Sequence, residues 1–129
     1  MKLLDSDHCI AVLRGELNLM QFAAPSDVLY TTAISVAELT HGAHKSARRR
    51  ENLARLEVLL AGLTVLPFDT PSARAFGTLK AELENAGKRL ADLDLQIASI
   101  ALSHELPLVT HNQRHFSRIP RLVLEDWLE

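Results

Sequence analysis

Two carboxylates, Asp92 and Asp94, stand at the head of residues 90–102, where Leu93, Leu95, Ile97, Ala98, Ile100, Ala101 and Leu102 leave almost no polar side. A helix apolar nearly all round is a buried helix, so charge at its start marks the mouth of a core. Asp92 has the place of an N-cap, and Asp94 falls in the first turn. The helix dipole alone favours acids there, and both aspartates can be read in that way. They gain a chemical meaning only if other segments bring acids to the same place. Asp5, Glu38 and Asn112 each follow a short apolar run that reads as a strand. Gathered carboxylates repel and raise one another's pKa, and the sequence places no lysine or arginine beside each of them. A hard divalent cation resolves the conflict, and all-oxygen ligands suit Mg²⁺ or Mn²⁺. The chemistry expected of such a centre is hydrolysis of a phosphodiester by a metal-activated water.

The elements that must position these residues follow from the pattern. Residues 1–4 form a short buried strand that delivers Asp5 into a strand-to-helix loop, with Ser6 or Asp7 as cap of a helix through Ile10, Val12 and Leu13. Residues 28–34 are rich in β-formers and read as a second strand. Ser35 then caps a helix over 36–44, and Glu38 has the capping-box spacing from it, which is its structural reading. Leu53, Leu56, Leu59 and Leu60 mark a helix ending near Gly62. A third strand covers 64–68, Thr70-Pro71 opens a helix as cap and first position, and Gly87 stops it. A fourth strand covers 107–110, a polar loop or short helix 111–119, and a final strand 121–124. Strands alternating with helices imply parallel βαβ units in a layered α/β domain, with right-handed crossovers. Sites in open parallel sheets lie beyond the carboxyl ends of the strands, where Asp5, Glu38, Asn112 and, from the helix leading into the fourth strand, Asp94 converge.

Composition bounds the alternatives. The chain of 129 residues suits one domain, and its 47% hydrophobic content supports a core. A net charge of −2 gives no bulk signal for nucleic acid, so any such surface is local. Cys9 is the only cysteine, reads as a small buried residue, and favours a reducing, cytoplasmic setting. No apolar run has membrane-spanning length, and the first residues lack a signal peptide's apolar core.

The residues carry a resemblance. Leu-Leu-Asp-Ser-Asp at 3–7, Ile-Ser-Val-Ala-Glu-Leu at 34–39, Asp-Leu-Gln-Ile-Ala at 94–98 and Leu-Val-Thr-His-Asn-Gln-Arg-His-Phe at 108–116 look like the PIN-domain ribonucleases, closest to the VapC-type toxins of bacterial toxin–antitoxin pairs. Pro-Phe-Asp at 67–69 and Leu-Glu-Asp-Trp at 124–127 extend it over the whole chain. The resemblance implies a single PIN domain over 1–129, with a three-layer α/β fold and a mostly parallel sheet of about four to five strands flanked by helices. It implies a Mg²⁺- or Mn²⁺-dependent endoribonuclease that forms a homodimer and is inhibited by a VapB-type antitoxin occupying the site. Asp5 matches the family's first acid, Glu38 the second, and Asp94 the third, with Asp92 its rival. The fourth position, often aspartate, is Asn112 here, an amide that adds no charge. Ser6 and Thr110 resemble the hydroxyl positions that support the acids. Asp7 reads as a helix cap or an additional ligand, the cap preferred.

Other chemistries lack their residues. His41-x-x-His44 and His111-x-x-x-His115 have helical ligand spacing, but there is no His-Glu-x-x-His, and these four read as surface histidines. Gly-x-Ser-x-Gly is absent, and no Gly-x-Gly-x-x-Gly follows the first strand. The run Lys45, Arg48, Arg49, Arg50 reads either as a solvated helix start or as a phosphate-contacting patch, which Arg114, Arg118 and Arg121 extend from the other side. For base stacking, Tyr30 sits in a strand, Phe22, Phe68 and Phe76 read as core, and Phe116 is the best exposed candidate. A non-catalytic RNA- or protein-binding module is the alternative function, and the three acids argue against it, since a pure binder has no need of them facing a phosphate.

Overall fold

Leu3 and Leu4 are both fully buried, yet they belong to different cores. Successive side chains of a strand point to opposite faces, so this pair identifies β1 (Lys2–Leu4) as a central strand covered on both sides. Leu108 and Val109 of β4 (Leu108–Val109) repeat the arrangement. The computed structural model describes residues 1–128. Its remaining elements are α1 (Ser6–Leu13), a 3-10 turn (Leu19–Gln21), β2 (Leu29–Thr32), α2 (Ala33–Lys45), α3 (Arg49–Ala61), β3 (Thr64–Leu66), α4 (Thr70–Asn85), α5 (Asp92–Ser103), α6 (Gln113–Phe116) and β5 (Leu124–Glu125).

The five strands are parallel and ordered β3-β2-β1-β4-β5. One face carries Leu79 and Leu83 of α4 with Leu95, Ile97, Ile100 and Ala101 of α5. The other carries Cys9 of α1, Leu39 of α2, Leu56 of α3 and Trp127. The result is the expected three-layer α/β fold, with every strand pair parallel. Leu95, Ile97 and Ile100 are at most 1% exposed, and each contributes roughly 1.5–3 kcal/mol by burial. The chain steps outward from β1 to β2 and β3, then crosses back to β4 and β5. The order therefore reverses between β1 and β4, and crevices in open α/β sheets form at the strand ends beside such a reversal.

Several boundaries differ from the sequence reading, mostly for one reason: a residue one to three positions earlier supplies the cap. Asp5 caps α1 through the Ser6 N–H, 2.8 Å away, so strand and helix join without a loop and neither Ser6 nor Asp7 is the cap. Thr32, not Ser35, caps α2, accepting the Ser35 N–H at 3.0 Å. The second strand consequently stops at Thr32, and the capping-box account of Glu38 falls away. Asp69, not Thr70, caps α4, with Pro71 at its second position. Ala91 precedes α5 without any side-chain cap, which makes Asp92 its first helical residue. Gly87 follows the end of α4 with φ +68°, a left-handed conformation that suits glycine. The third and fourth strands are shorter than read, and the last begins at Leu124, three residues later than the sequence suggests.

Candidate active site

Asp5 sits where the topology predicts a crevice, between the ends of β1 and β4. It is only 6% exposed. Its Oδ1 accepts the Ser6 N–H and its Oδ2 accepts the Thr110 hydroxyl at 2.8 Å, which ties the end of β1 to the residue after β4. Burial first, then the charge of Asp7, push its carboxyl up to about 6, against the opposing bonds from Thr110 and Ser6; Asp94 adds a further upward push.

Glu38 lies on α2 at the solvent-open rim. Partial burial and then the Asp94 charge raise its carboxyl, while the neighbouring Ser6 hydroxyl pulls the other way. Asp94 is the third residue of α5 and half-buried. Partial burial raises it as well; His115, whose Nδ1 is 3.9 Å away, opposes, and Asp7 adds to the rise. Thus three helices and the carboxyl ends of β1 and β4 bring Asp94 within electrostatic reach of both Asp5 and Glu38. Asp92 turns elsewhere, to Lys80 of α4 at 3.1 Å, on an exposed face. Asn112 half-caps α6, donates its N–H to the Thr110 hydroxyl at 3.0 Å, and lies with its amide 3.0 Å from the His115 ring.

Asp7 has a role the sequence did not reveal. It is the second residue of α1, not the cap, and its carboxylate is occupied by donors. Oδ1 pairs with His8 Nδ1 at 2.7 Å; Oδ2 accepts the His111 N–H at 2.9 Å and lies 3.2 Å from the Thr110 hydroxyl. Burial works to raise its pKa, but the His8 bond and the His111 N–H outweigh it and hold the carboxyl below the usual range. A carboxylate so engaged is a poor additional ligand and a fixed negative charge. His8 itself is fully buried, with Nε2 accepting the Trp127 N–H at 3.0 Å. Asp126 completes the layer, pairing with His111 Nδ1 at 2.8 Å. The bonds of His8 to Trp127 and of His111 to Asp7 were missed because those partners are distant in sequence; His111 reads from the sequence only as a surface histidine.

The donor set fits a hard divalent cation. Asp5, Glu38 and Asp94 offer carboxylate oxygen only, all three carboxyls are held above their usual range, and among the described residues His115 is the only basic group acting on any of them. Among the described residues no three His, Cys, Asp or Glu side chains stand close enough together to hold an ion between them as placed. An open arrangement suits Mg²⁺, which binds through one or two carboxylates and keeps other positions for water and phosphate.

The expected surface groups divide. Arg48, Arg49, Arg50 and Arg114 are exposed, with Arg48 3.7 Å from Glu51. Arg118 is engaged, donating to the Arg89 carbonyl at 2.6 Å, and Arg121 lies 3.6 Å from Glu82. Phe116 is not an exposed stacking platform: it is fully buried in the α4–α5 core, because the single turn of α6 rotates it inward. Phe22 is the converse, 44% exposed and stacked on Trp127 at 5.1 Å. His41, His44, His111 and His115 are exposed, as read.

Comparison with known proteins places this geometry in a family. The PIN domain profile matches residues 2–122. Ribonuclease VapC2 of Rickettsia felis is 32% identical over 97% of this chain and 96% of its own length. The tRNA(fMet)-specific endonuclease VapC of Salmonella typhimurium is 35% identical over 97% and 96%. Among solved structures, VapBC2 of R. felis bound to a promoter DNA fragment superposes with a TM-score of 0.90 at 30% identity, covering 98% of both chains. DNA-bound VapBC of S. typhimurium gives 0.90 at 34% identity over 98% and 99%. With the profile spanning most of the chain and relatives aligned over nearly all of both lengths, the chain belongs to the PIN-domain family and, within it, to the VapC branch.

Proposed function

We propose that this chain, acting as one PIN domain over 1–129, is a Mg²⁺- or Mn²⁺-dependent endoribonuclease and the toxin of a type II toxin–antitoxin pair. The observation that supports it most is the meeting of Asp5, Glu38 and Asp94 at the β1–β4 reversal with no lysine or arginine acting on them. Those three would hold the ion, with Asn112 a weaker, uncharged fourth. When bound, the ion supplies Lewis acidity for hydrolysis of the phosphodiester. The chain's own groups set the stage: the Ser6 amide and the Thr110 hydroxyl orient Asp5, and the Asn112 amide meets His115 beside Asp94. Exposed Arg48, Arg49, Arg50 and Arg114 are the candidates for RNA phosphates; Arg118 would first have to leave the Arg89 carbonyl.

The solved VapBC complexes support a VapB-type antitoxin as partner; the homodimer rests on the family resemblance alone. A groove of about 330 Å³ between α1, α2 and α3 has Ile10, Leu13, Leu39 and Leu56 in its wall together with Glu38, and gives such an antitoxin an apolar seat beside the acids. An RNA substrate and a single buried thiol suit the cytoplasm; among the described residues no helix is long and apolar enough to cross a membrane. The name of the S. typhimurium relative makes initiator tRNA the first substrate to try.

The test is cleavage of a total small-RNA pool, with initiator tRNA as a separate substrate, by antitoxin-free protein in Mg²⁺ or Mn²⁺. Discrete cuts that vanish with EDTA and in Asp94→Asn are expected. RNA binding without cutting by folded, metal-supplied protein overturns the nuclease in favour of a binding module.

A further inference from the structure

His8 is fully buried beside the site, as is the neighbouring Cys9, and nothing in the acid chemistry above uses its imidazole. It is saturated on both ring nitrogens. Nε2 accepts the Trp127 backbone N–H at 3.0 Å, the nearer of its two neighbours, with Asp126 Oδ1 at 3.6 Å. A neutral imidazole carries its proton on the other nitrogen, so Nδ1 donates to Asp7 Oδ1 at 2.7 Å. The choice of tautomer is thus made by a backbone amide 119 residues away in sequence, which cannot rotate as a side-chain donor could.

What Asp7 then does follows from its other oxygen. Oδ2 takes the His111 N–H at 2.9 Å and lies 3.2 Å from the Thr110 hydroxyl. That hydroxyl has one proton, is nearer Asp5 at 2.8 Å, and accepts the Asn112 N–H at 3.0 Å. Asp7 therefore holds the His111 backbone directly and its neighbours Thr110 and Asn112 through it, and the Thr110 hydroxyl in turn sets the orientation of the Asp5 carboxylate. We propose that His8 is a positioning residue for the acid site: locked in one tautomer by the Trp127 amide, it fixes Asp7, and Asp7 fixes the Thr110–Asn112 segment against Asp5. The inference rests on the metal-nuclease reading above.

Two substitutions separate the halves of the ring. In His8→Asn the amide nitrogen occupies the place of Nδ1 and can still donate to Asp7, while the Trp127 N–H loses its acceptor. In His8→Gln the amide oxygen reaches the place of Nε2 and can still accept from Trp127, while Asp7 loses its donor. Thermal midpoints identify what each does to folding. Mn²⁺ titration of the folded, RNA-free proteins, the amide resonances of His111 and Asn112, and RNA cleavage report on the site. Outer-shell partners of metal ligands are typically worth 10–100-fold in affinity or activity. His8→Gln is expected to weaken Mn²⁺ binding and cleavage by at least about 10-fold and to move both resonances; His8→Asn should stay within about 3-fold of the unaltered protein, well short of that 10-fold loss, with the resonances in place. The proposal is overturned if both variants keep the original Mn²⁺ affinity, or if both lose it in proportion to their thermal midpoints. If the unaltered protein itself binds no Mn²⁺ and cuts no RNA, the nuclease reading has failed and the inference falls with it; normal binding and cutting by the unaltered protein with indifferent variants removes His8 alone.

Discussion

At Asp5 the fold holds a carboxyl that resists ionisation. Its pKa stands at about 6 in the native chain against an ordinary 3.8, so the folded state binds the proton more tightly than the unfolded state. Stability from this group is fully present below about 3.8 and is lost as pH rises through about 6. The gap is worth about 3 kcal/mol at neutral pH, order of magnitude only. In EDTA, Asp5→Asn should therefore raise the denaturant stability at pH 7 by about 1–2 kcal/mol, part of that gap being returned through weaker capping. It should also flatten the rise in stability between pH 6 and 4, and abolish cleavage. A variant less stable than the parent at pH 7 would mean the charge is already compensated. Phe116 belongs to the same scale. Surrounded by His, Arg and Ser in sequence, it reads as a surface ring; the fold buries it completely. Phe116→Ala should lower stability by about 3–5 kcal/mol, measured by chemical unfolding. A single polar neighbourhood cannot reveal which way one helical turn will face.

The elements show what helix starts do for the site. α5 begins with two acids, and its first turn sends them apart, Asp92 to Lys80 and Asp94 to the crevice. Because the Asp92 pair is exposed, Asp92→Asn should leave cleavage within about 2-fold and stability within about 0.5 kcal/mol, whereas Asp94→Asn should remove cleavage. α2 is set by Thr32, which is fully buried and bonds Ser35 through both N–H and hydroxyl. Thr32→Ala should cost about 1–2 kcal/mol in thermal or denaturant unfolding. The order and type of the elements were legible because leucine spacing and β-branched runs alternate cleanly along the chain. The caps were not. Asp5 competes with Ser6 and Asp7, Thr32 with Ser35, and Asp69 with Thr70, all of them residue types that cap well, so composition alone cannot choose between positions so close together. Asp5, Glu38 and Asn112 could still be placed near strand ends, and Asp94 at the head of α5, because those positions do not depend on which residue caps.

For the molecule as a whole, the parallel sheet was readable from the βα alternation, and the gathering of acids from the rule about strand ends. The strand order was not, nor was the tail's return to α1, since both are contacts between distant parts of the chain. Lys2 Nζ to Glu125 at 2.7 Å and Trp127 to His8 join segments more than a hundred residues apart. The central position of β1 has a consequence in time. β1 pairs on one side with β2 and on the other with β4, and Asp5 meets Thr110 only across 105 residues of sequence. Such distant pairings form late, after the loop between them has been closed. A growing chain thus holds Asp5 without its hydroxyl partner until β4 has been made 105 residues later, and the acid crevice is among the last parts of the fold to close.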